Sequence, residues 1–283
     1  MSYADLISAY VFPLSPIPTD ARPGGRLIKP LNAVLFDVYG TLLASQAGDV
    51  SSMARNDTET ATRIDSLLEN YNYKGSAKEL IADFLQAISA AHESMRRKGT
   101  DWPEVEIERV WKQVLDVPAI ETARRFSIEF EMIANPCYPM PHLANVFSSF
   151  REKGVKMGII SNAQFFTPLM FEVLCGGRPE NLGFTESLVF YSYRFGVAKP
   201  SRRLFQLAAR ELDRLGIEIE TTLYVGNDIL NDILPARADG FQTALFAGDN
   251  RSLRKRSDDP RCADVKPDLV ITDWRQIIEW IGP

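Results

Sequence analysis

The chain has 283 residues, room for one large domain or two modest ones, and its 45% hydrophobic and 24% charged content is that of an ordinary globular protein. A formal net charge of -5 offers no basic surface of the kind nucleic-acid binders need, which sets that class aside. No segment approaches the length of a membrane span, and no basic stretch followed by an apolar one opens the chain.

Residues 1–30 hold Pro13, Pro16, Pro18, Pro23 and Pro30 and read as an irregular arm. The apolar run 33–36 then ends abruptly in Asp37, followed by Val38-Tyr39-Gly40-Thr41. Such a run is expected to be a buried parallel strand that delivers one carboxylate to the carboxyl edge of a sheet, where open α/β sheets place their sites. A carboxylate is already ionised at neutral pH and can act as a nucleophile without a base to activate it. Taken alone, Asp-x-x-Gly-Thr favours an aspartate that only caps a turn.

The stretch 45–138 is expected to be an all-helical insert. Ser76-x-x-Glu79 is a capping box opening a helix that carries Leu80, Ile81, Phe84, Leu85 and Ile88. Asp101-Trp102-Pro103 is expected to start a second helix running towards Leu115, and 120–133 a third. Because the insert follows Asp37 directly, it can close over that carboxylate as a lid. Arg55, Arg63, Arg96 and Arg97 read as solvated helix faces.

From Pro141 onward strand and helix signals alternate. Leu143, Val146, Phe147 and Phe150 lie at helical spacing before Gly154, and a strand at 157–160 ends in Ser161-Asn162. A strand at 188–191, a helix at 201–215 and a strand at 223–225 follow, the last closing on Gly226-Asn227-Asp228. Strands at 243–246 and 269–271 and a helix at 274–281 complete the chain. The basic cluster Arg251, Arg254, Lys255, Arg256 precedes Asp258 and Asp259 and reads as a solvated loop. This alternation implies a doubly wound parallel α/β sheet. The expected organisation is an arm (1–30), a core domain (31–44 and 139–283) and a helical cap domain (45–138).

Cys137, Cys175 and Cys262 form no Cys-x-x-Cys pair, which argues against a disulfide framework or a structural zinc site and for free thiols in a reducing cytoplasm. His92 and His142 are too few for a His-rich metal centre.

Four chemistry-bearing elements lie in order at predicted strand ends or just beyond them: Asp37 to Thr41, Ser161-Asn162, Lys199-Pro200, and Gly226 to Asp232. Carboxyl ends of neighbouring parallel strands converge on one crevice, so a carboxylate, a hydroxyl, an ammonium and an acidic pair are expected to meet around one small anion. Ser161 can donate to a phosphate oxygen, and Lys199 offers a compact positive charge. Asp228 and Asp232 are hard oxygen donors suited, with Asp37, to a Mg²⁺ that keeps several waters.

These four elements, with Gly196-Val197-Ala198-Lys199-Pro200-Ser201 and a helical insert, resemble the haloacid dehalogenase-like hydrolase superfamily from Ala33 to Ile281. The resemblance implies a Rossmann-like core with a helical cap inserted after the first motif. It implies Asp37 as a nucleophile forming a covalent intermediate, with Ser161 and Lys199 holding the phosphoryl group or leaving anion and Asn162 and Thr41 beside them. It also implies Mg²⁺ on Asp37, the backbone carbonyl of Tyr39, and Asp228 or Asp232.

Two departures pull in opposite directions. Phosphatases of the superfamily carry a second Asp two residues after the nucleophile to protonate the leaving oxygen, and here that place is Tyr39. A phenol can donate a proton in principle, packing under the cap is an equal reading, and dehalogenases share Asp-x-Tyr-Gly-Thr because a halide needs no proton. Against that, aligned on Asn231-Asp232, the first acidic position of the usual Gly-Asp-x-x-x-x-Asp motif is Asn227, and Asp228 with Asp232 still makes two carboxylates. No insert segment resembles the arginine-bearing stretch with which dehalogenases grip a carboxylate. The sequence therefore favours a Mg²⁺-dependent phosphomonoester hydrolase acting on a small phosphorylated molecule. A metal-independent 2-haloacid dehalogenase using Asp37 is the alternative. A degenerate member that binds a phospho-ligand or a protein is the third reading.

Overall fold

The computed structural model describes residues 2–46 and 58–281. In chain order it contains helix α1 (Tyr3–Ser8), strands β1 (Gly24–Gly25), β2 (Ala33–Phe36) and β3 (Leu43–Ser45), helices α2 (Thr58–Asn70), α3 (Ala77–Arg97), α4 (Ile107–Val114) and α5 (Ile120–Ala134), and strand β4 (Cys137–Pro139). There follow α6 (Leu143–Glu152), β5 (Lys156–Ser161), α7 (Thr167–Leu174), β6 (Phe184–Tyr191), α8 (Ser192–Phe195), α9 (Arg203–Arg214), β7 (Thr222–Gly226), α10 (Leu234–Ala238), β8 (Gln242–Phe246) and β9 (Leu269–Ile271).

Seven strands form one sheet in the order β1-β9-β8-β7-β2-β5-β6, parallel except for β1 against β9. Side chains of β2 alternate between two buried clusters. Val34 and Phe36 pack with Val146, Phe147 and Phe150 of α6, whereas Ala33 and Leu35 pack with Leu204, Phe205 and Ala208 of α9. A strand apolar on both faces therefore sits mid-sheet with helices above and below, which is the Rossmann-like α/β arrangement expected. Phe36 lies level with Ile159 of β5 and Val225 of β7, so Asp37 leaves the sheet between the two strands whose ends carry Ser161 and Gly226.

Helices α2 to α5 follow β3, and β3 pairs antiparallel with β4, so the chain leaves and re-enters the sheet layer side by side through a two-stranded ribbon. The capping box expected at Ser76 and Glu79 is present: Ser76 Oγ accepts the Glu79 N–H at 3.3 Å, and the Glu79 carboxylate accepts the Ser76 N–H at 2.8 Å. An aromatic cluster fills the insert, with Trp111 stacked on Phe84 at 4.0 Å between centroids and flanked by Phe126 and Phe130 at 4.8 and 4.6 Å. Trp111 is 1% exposed. Trp111→Ala is therefore expected to cost about 3–5 kcal/mol of stability, measured by urea unfolding. A loss below about 1 kcal/mol would show that the cluster does not hold the insert together.

Several expectations need correction. The arm is not wholly irregular: Ser2 and Asp5 form a capping box that opens α1, and β1 adds an edge strand to the sheet. No helix starts at 101–103. Trp102 and Glu104 instead exchange backbone hydrogen bonds with Ala198 and Gly196 (Ala198 N to Trp102 O 2.7 Å, Glu104 N to Gly196 O 3.2 Å), and the helix begins at Ile107. The last segment, Trp274–Trp280, winds as tight 3₁₀ turns under an Asp273–Gln276 capping box. Arg96 and Arg97 are exposed as expected, but Arg63 lies over the Phe12 ring at 5.6 Å. Arg55 lies outside the described residues. Among the described residues no helix is long and apolar enough to cross a membrane, and all three cysteines are free.

Candidate active site

Asp37 sits at the carboxyl end of β2 and is 6% exposed. Its Oδ1 accepts the Ser161 hydroxyl at 2.8 Å and the Lys199 ammonium at 2.7 Å. Its Oδ2 meets only the Thr41 hydroxyl, at 3.4 Å, among the described residues. The same Thr41 hydroxyl lies closer to Asn227 Oδ1, at 3.1 Å, and donates there. One oxygen of Asp37 is thus held by two donors while the other stays open to the cleft.

Lys199 spends its three N–H groups on Asp37 Oδ1, Asp232 Oδ1 (2.5 Å) and the Tyr224 hydroxyl (3.0 Å). Burial works against its charge, but the Asp232 and Asp37 carboxylates win, and its pKa rises above the ordinary lysine value. Burial pushes the Asp232 carboxyl up, with Lys199 pulling the other way. Asp232 Oδ2 accepts the Asp228 N–H at 2.9 Å, so both of its oxygens are occupied. Gly226 is required here, since a Cβ would stand 2.4 Å from that oxygen. Gly40, at φ +79° with its missing Cβ directed at Ser252 and Asn227, allows the loop after Asp37 to press on the motif from the other side.

Asn162 uses both ends of its amide on the Lys199 backbone: it accepts the Lys199 N–H at 2.7 Å and donates to the Lys199 carbonyl at 3.2 Å. It holds the lysine loop against the end of β5. Tyr39 lines the cleft, but its hydroxyl bonds Thr167 Oγ1 at 2.9 Å and approaches Met170 Sδ at 3.4 Å, both on α7. Burial, then the charges of Glu131 and Cys137, push its pKa well above the ordinary phenol value.

Asp228 is engaged differently from the sequence expectation. Its Oδ1 caps the following turn (Leu230 N at 2.8 Å, Asn231 N at 3.3 Å), and both oxygens receive the Arg256 guanidinium, the shortest contact being 2.5 Å. Arg256 is therefore not in a solvated loop. The chain returns over the motif because Arg254 N donates to the Asn227 carbonyl at 2.9 Å and Ile229 N to the Arg254 carbonyl at 3.0 Å. Arg251 likewise pairs with buried Asp249 at 3.2 Å, while Lys255 stays outside, 3.0 Å from Asp20.

A Mg²⁺ needs hard oxygen donors and keeps most of its waters. Asp228 and Asp232 are already neutralised by a guanidinium and an ammonium, and among the described residues no three His, Cys, Asp or Glu side chains form a metal-binding group. Hard donors that remain are the Asp37 carboxylate and Asn227 Oδ1, which lie side by side against the Thr41 hydroxyl. That pair fits a water-rich magnesium site with one carboxylate rather than two.

Asp37 opens into a cavity of about 450 Å³ that runs from the sheet edge into the helical insert. The insert lines it with Phe84, Ile88, Trp111 and Phe130, the core adds Phe166, and its polar lining includes His92, Glu104, Glu131 and Gln164. Core and insert are stitched there: Gln164 accepts the Ile107 N–H at 3.1 Å and donates to the Val105 carbonyl at 3.0 Å, while Glu104 accepts the Ser192 hydroxyl at 2.7 Å. Sequence reasoning missed Tyr224, Arg256, Glu104 and Glu131. Only Tyr224 carried a signal, as a hydroxyl-bearing residue in a wholly buried strand that leads into the Gly226 motif.

The haloacid dehalogenase-like hydrolase family model matches residues 31–240. The chain is 30% identical over 175 residues to phosphoserine phosphatase of Thermus thermophilus, a match covering 60% of this chain and 63% of that protein. It is 26% identical over 215 residues to glyceraldehyde 3-phosphate phosphatase of Methanocaldococcus jannaschii, covering 75% and 83% respectively. The fold superposes on the crystal structure of a HAD phosphatase from Thermococcus onnurineus with a TM-score of 0.54 and 19% identity, covering 89% of this chain and 98% of that one. Crystal structures of 2-haloacid dehalogenases also stand among the structural neighbours, so likeness of fold does not choose between the two chemistries.

Proposed function

The chain belongs to the haloacid dehalogenase-like hydrolases, and from that premise we propose that it hydrolyses a small phosphomonoester through a covalent aspartyl-phosphate on Asp37. The observation that carries this reading is the pair of donors on Asp37 Oδ1, Ser161 at 2.8 Å and Lys199 at 2.7 Å, with Oδ2 left open. A carboxylate so held points one lone pair into the cleft, and the hydroxyl and ammonium beside it suit the oxygens of a bound phosphoryl group. Oδ2 attacks phosphorus, the bond to the leaving alcohol breaks, and water then cleaves the acyl phosphate to restore Asp37 and release phosphate. Asp37 and Asn227 would hold Mg²⁺, which when bound neutralises negative charge on the phosphoryl oxygens.

Helices α2 to α5 act as a cap that covers the cleft, entered and left through the β3–β4 ribbon. Their aromatic wall favours a substrate whose organic part is largely apolar. The free thiols support a reducing, cytoplasmic setting.

The dehalogenase alternative keeps one specific observation in its favour, Tyr39 where a carboxylate would stand. Against it, the guanidinium groups lining the cavity among the described residues are Arg254 and Arg256, both from the core, and Arg256 is engaged by Asp228. An assay of 4-nitrophenyl phosphate and 2-chloropropionate, each with magnesium and with chelator, decides the matter. Phosphate release that collapses in chelator is expected. Halide release indifferent to chelator, with no phosphate release, would establish the dehalogenase instead.

A further inference from the structure

We propose that Glu131, on the last turn of α5 in the insert, is the proton donor to the leaving oxygen, replacing the carboxylate absent at position 39. The inference rests on the phosphatase reading and adds to it the residue that completes the chemistry.

Three observations carry it. First, the residue in the usual place is otherwise engaged: the Tyr39 hydroxyl is bonded to Thr167 on α7. Second, Glu131 lines the cavity that also holds Asp37 and Lys199. Third, Glu131 is held by a relay that reaches the ribbon joining insert and core. Ser45 of β3 donates its hydroxyl to Asn135 Oδ1 at 2.7 Å, which fixes the orientation of that amide, and Asn135 Nδ2 donates to Glu131 Oε1 at 2.9 Å. Ser45 is 0% and Asn135 6% exposed, so the relay is shielded from solvent. The remaining oxygen, Oε2, takes no hydrogen bond from any described residue and is the one available to a substrate.

The chemistry of the site agrees. Burial pushes the Glu131 carboxyl up to about 7, with the Asn135 hydrogen bond pulling the other way, so at neutral pH it holds a proton for a large fraction of the time. The other candidates in the cavity are poorer donors. Both oxygens of Glu104 are bonded, to Ser192 Oγ at 2.7 Å and Val105 N at 2.9 Å. Burial, then Arg96, lower the pKa of His92 and favour its neutral form.

In the first step Asp37 Oδ2 bonds to phosphorus, the P–O bond to the alcohol breaks, and the Glu131 proton passes to the departing oxygen. In the second step the Glu131 carboxylate takes a proton from water as its oxygen bonds to phosphorus and the Asp37–phosphorus bond breaks. Glu131 is thereby reprotonated and Asp37 restored.

The test compares hexyl phosphate, a poor leaving group, with 4-nitrophenyl phosphate, whose leaving group needs no proton. Glu131→Gln keeps the oxygen that Asn135 bonds and removes only the acid. Its single-turnover rate of alcohol release from hexyl phosphate, which reads the first step alone, is expected to fall by about 10²–10⁴-fold, while single-turnover release of 4-nitrophenol changes less than about threefold, which also shows the variant to be folded. Equal losses on both esters, or an unchanged rate on hexyl phosphate, would overturn the assignment. A wild type that cleaves only the aryl ester has no working donor, which overturns the inference and leaves the phosphatase reading standing. Release of phosphate from neither ester overturns both.

Discussion

Asp37→Asn is expected to lower phosphomonoester turnover by at least about 10⁴-fold while the melting temperature stays within about 4 °C of wild type. The amide has the shape of the carboxylate, and its carbonyl oxygen can still accept the Ser161 hydroxyl and the Lys199 ammonium that now lie at 2.8 and 2.7 Å. Lys199 also keeps its 2.5 Å pairing with Asp232, so no buried cation is left without a counter-ion. What is lost is the anionic Oδ2, and with it the covalent intermediate. Rapid-quench turnover followed by intact-protein mass measurement should show the phosphoryl adduct in wild type and none in the variant. Near wild-type turnover, with deamidation of the new asparagine ruled out by peptide mass, would end the covalent mechanism.

That prediction was open to the sequence because Asp37 follows a strand buried on both faces. Four apolar residues in a row cannot lie on a half-exposed strand, so the first polar residue after them marks the edge of the sheet. Ser161 and Asp232 were readable for a related reason, as they lie at or beyond the ends of β5 and β7, which flank β2, and Lys199 lies beyond β6, the strand next to β5. The partners that tune them were not. Arg256 reaches Asp228 across 28 positions of sequence through a loop whose course depends on tertiary hydrogen bonds to Asn227 and Ile229. A run of four basic residues beside two aspartates looks like solvated charge until the loop is seen to fold back.

The helical insert shows the same divide. Its long helix was announced by a local signal, Ser76 with Glu79, which acts within one turn. The supposed helix start at Pro103 failed because proline is equally at home in an extended segment, and there Trp102 and Glu104 pair with the lysine loop. Glu131 lies beyond any local rule. Helix α5 also carries Glu121 and Glu129, which take hydroxyl bonds from Tyr3 and from Tyr10 and Tyr71. Which of the three acids turns towards the cavity follows from how α5 packs, and nothing in the spacing of its residues distinguishes them.

Lys199→Met should produce the largest combined effect on stability and turnover. The ammonium is 3% exposed and stands between two carboxylates that are themselves buried, Asp37 at 2.7 Å and Asp232 at 2.5 Å. Removing one member of a buried charge network leaves the others without compensation, which costs about 3–5 kcal/mol, well above the loss of the hydrogen bonds alone. Two like charges would also face each other across the space the lysine filled. Turnover should fall with stability, because the cation that offsets the phosphoryl charge is gone. The two effects can be separated: Lys199→Met with Asp232→Asn removes one of the stranded anions and restores the net charge that the three groups have in the wild type. The double variant should recover at least about half of the lost stability in urea unfolding and none of the lost turnover. A double variant no more stable than Lys199→Met alone would mean that the uncompensated carboxylates are not what destabilises the fold. Recovery of turnover along with stability would mean that Lys199 serves the site by holding it together, and that its charge plays no part in binding the phosphoryl group.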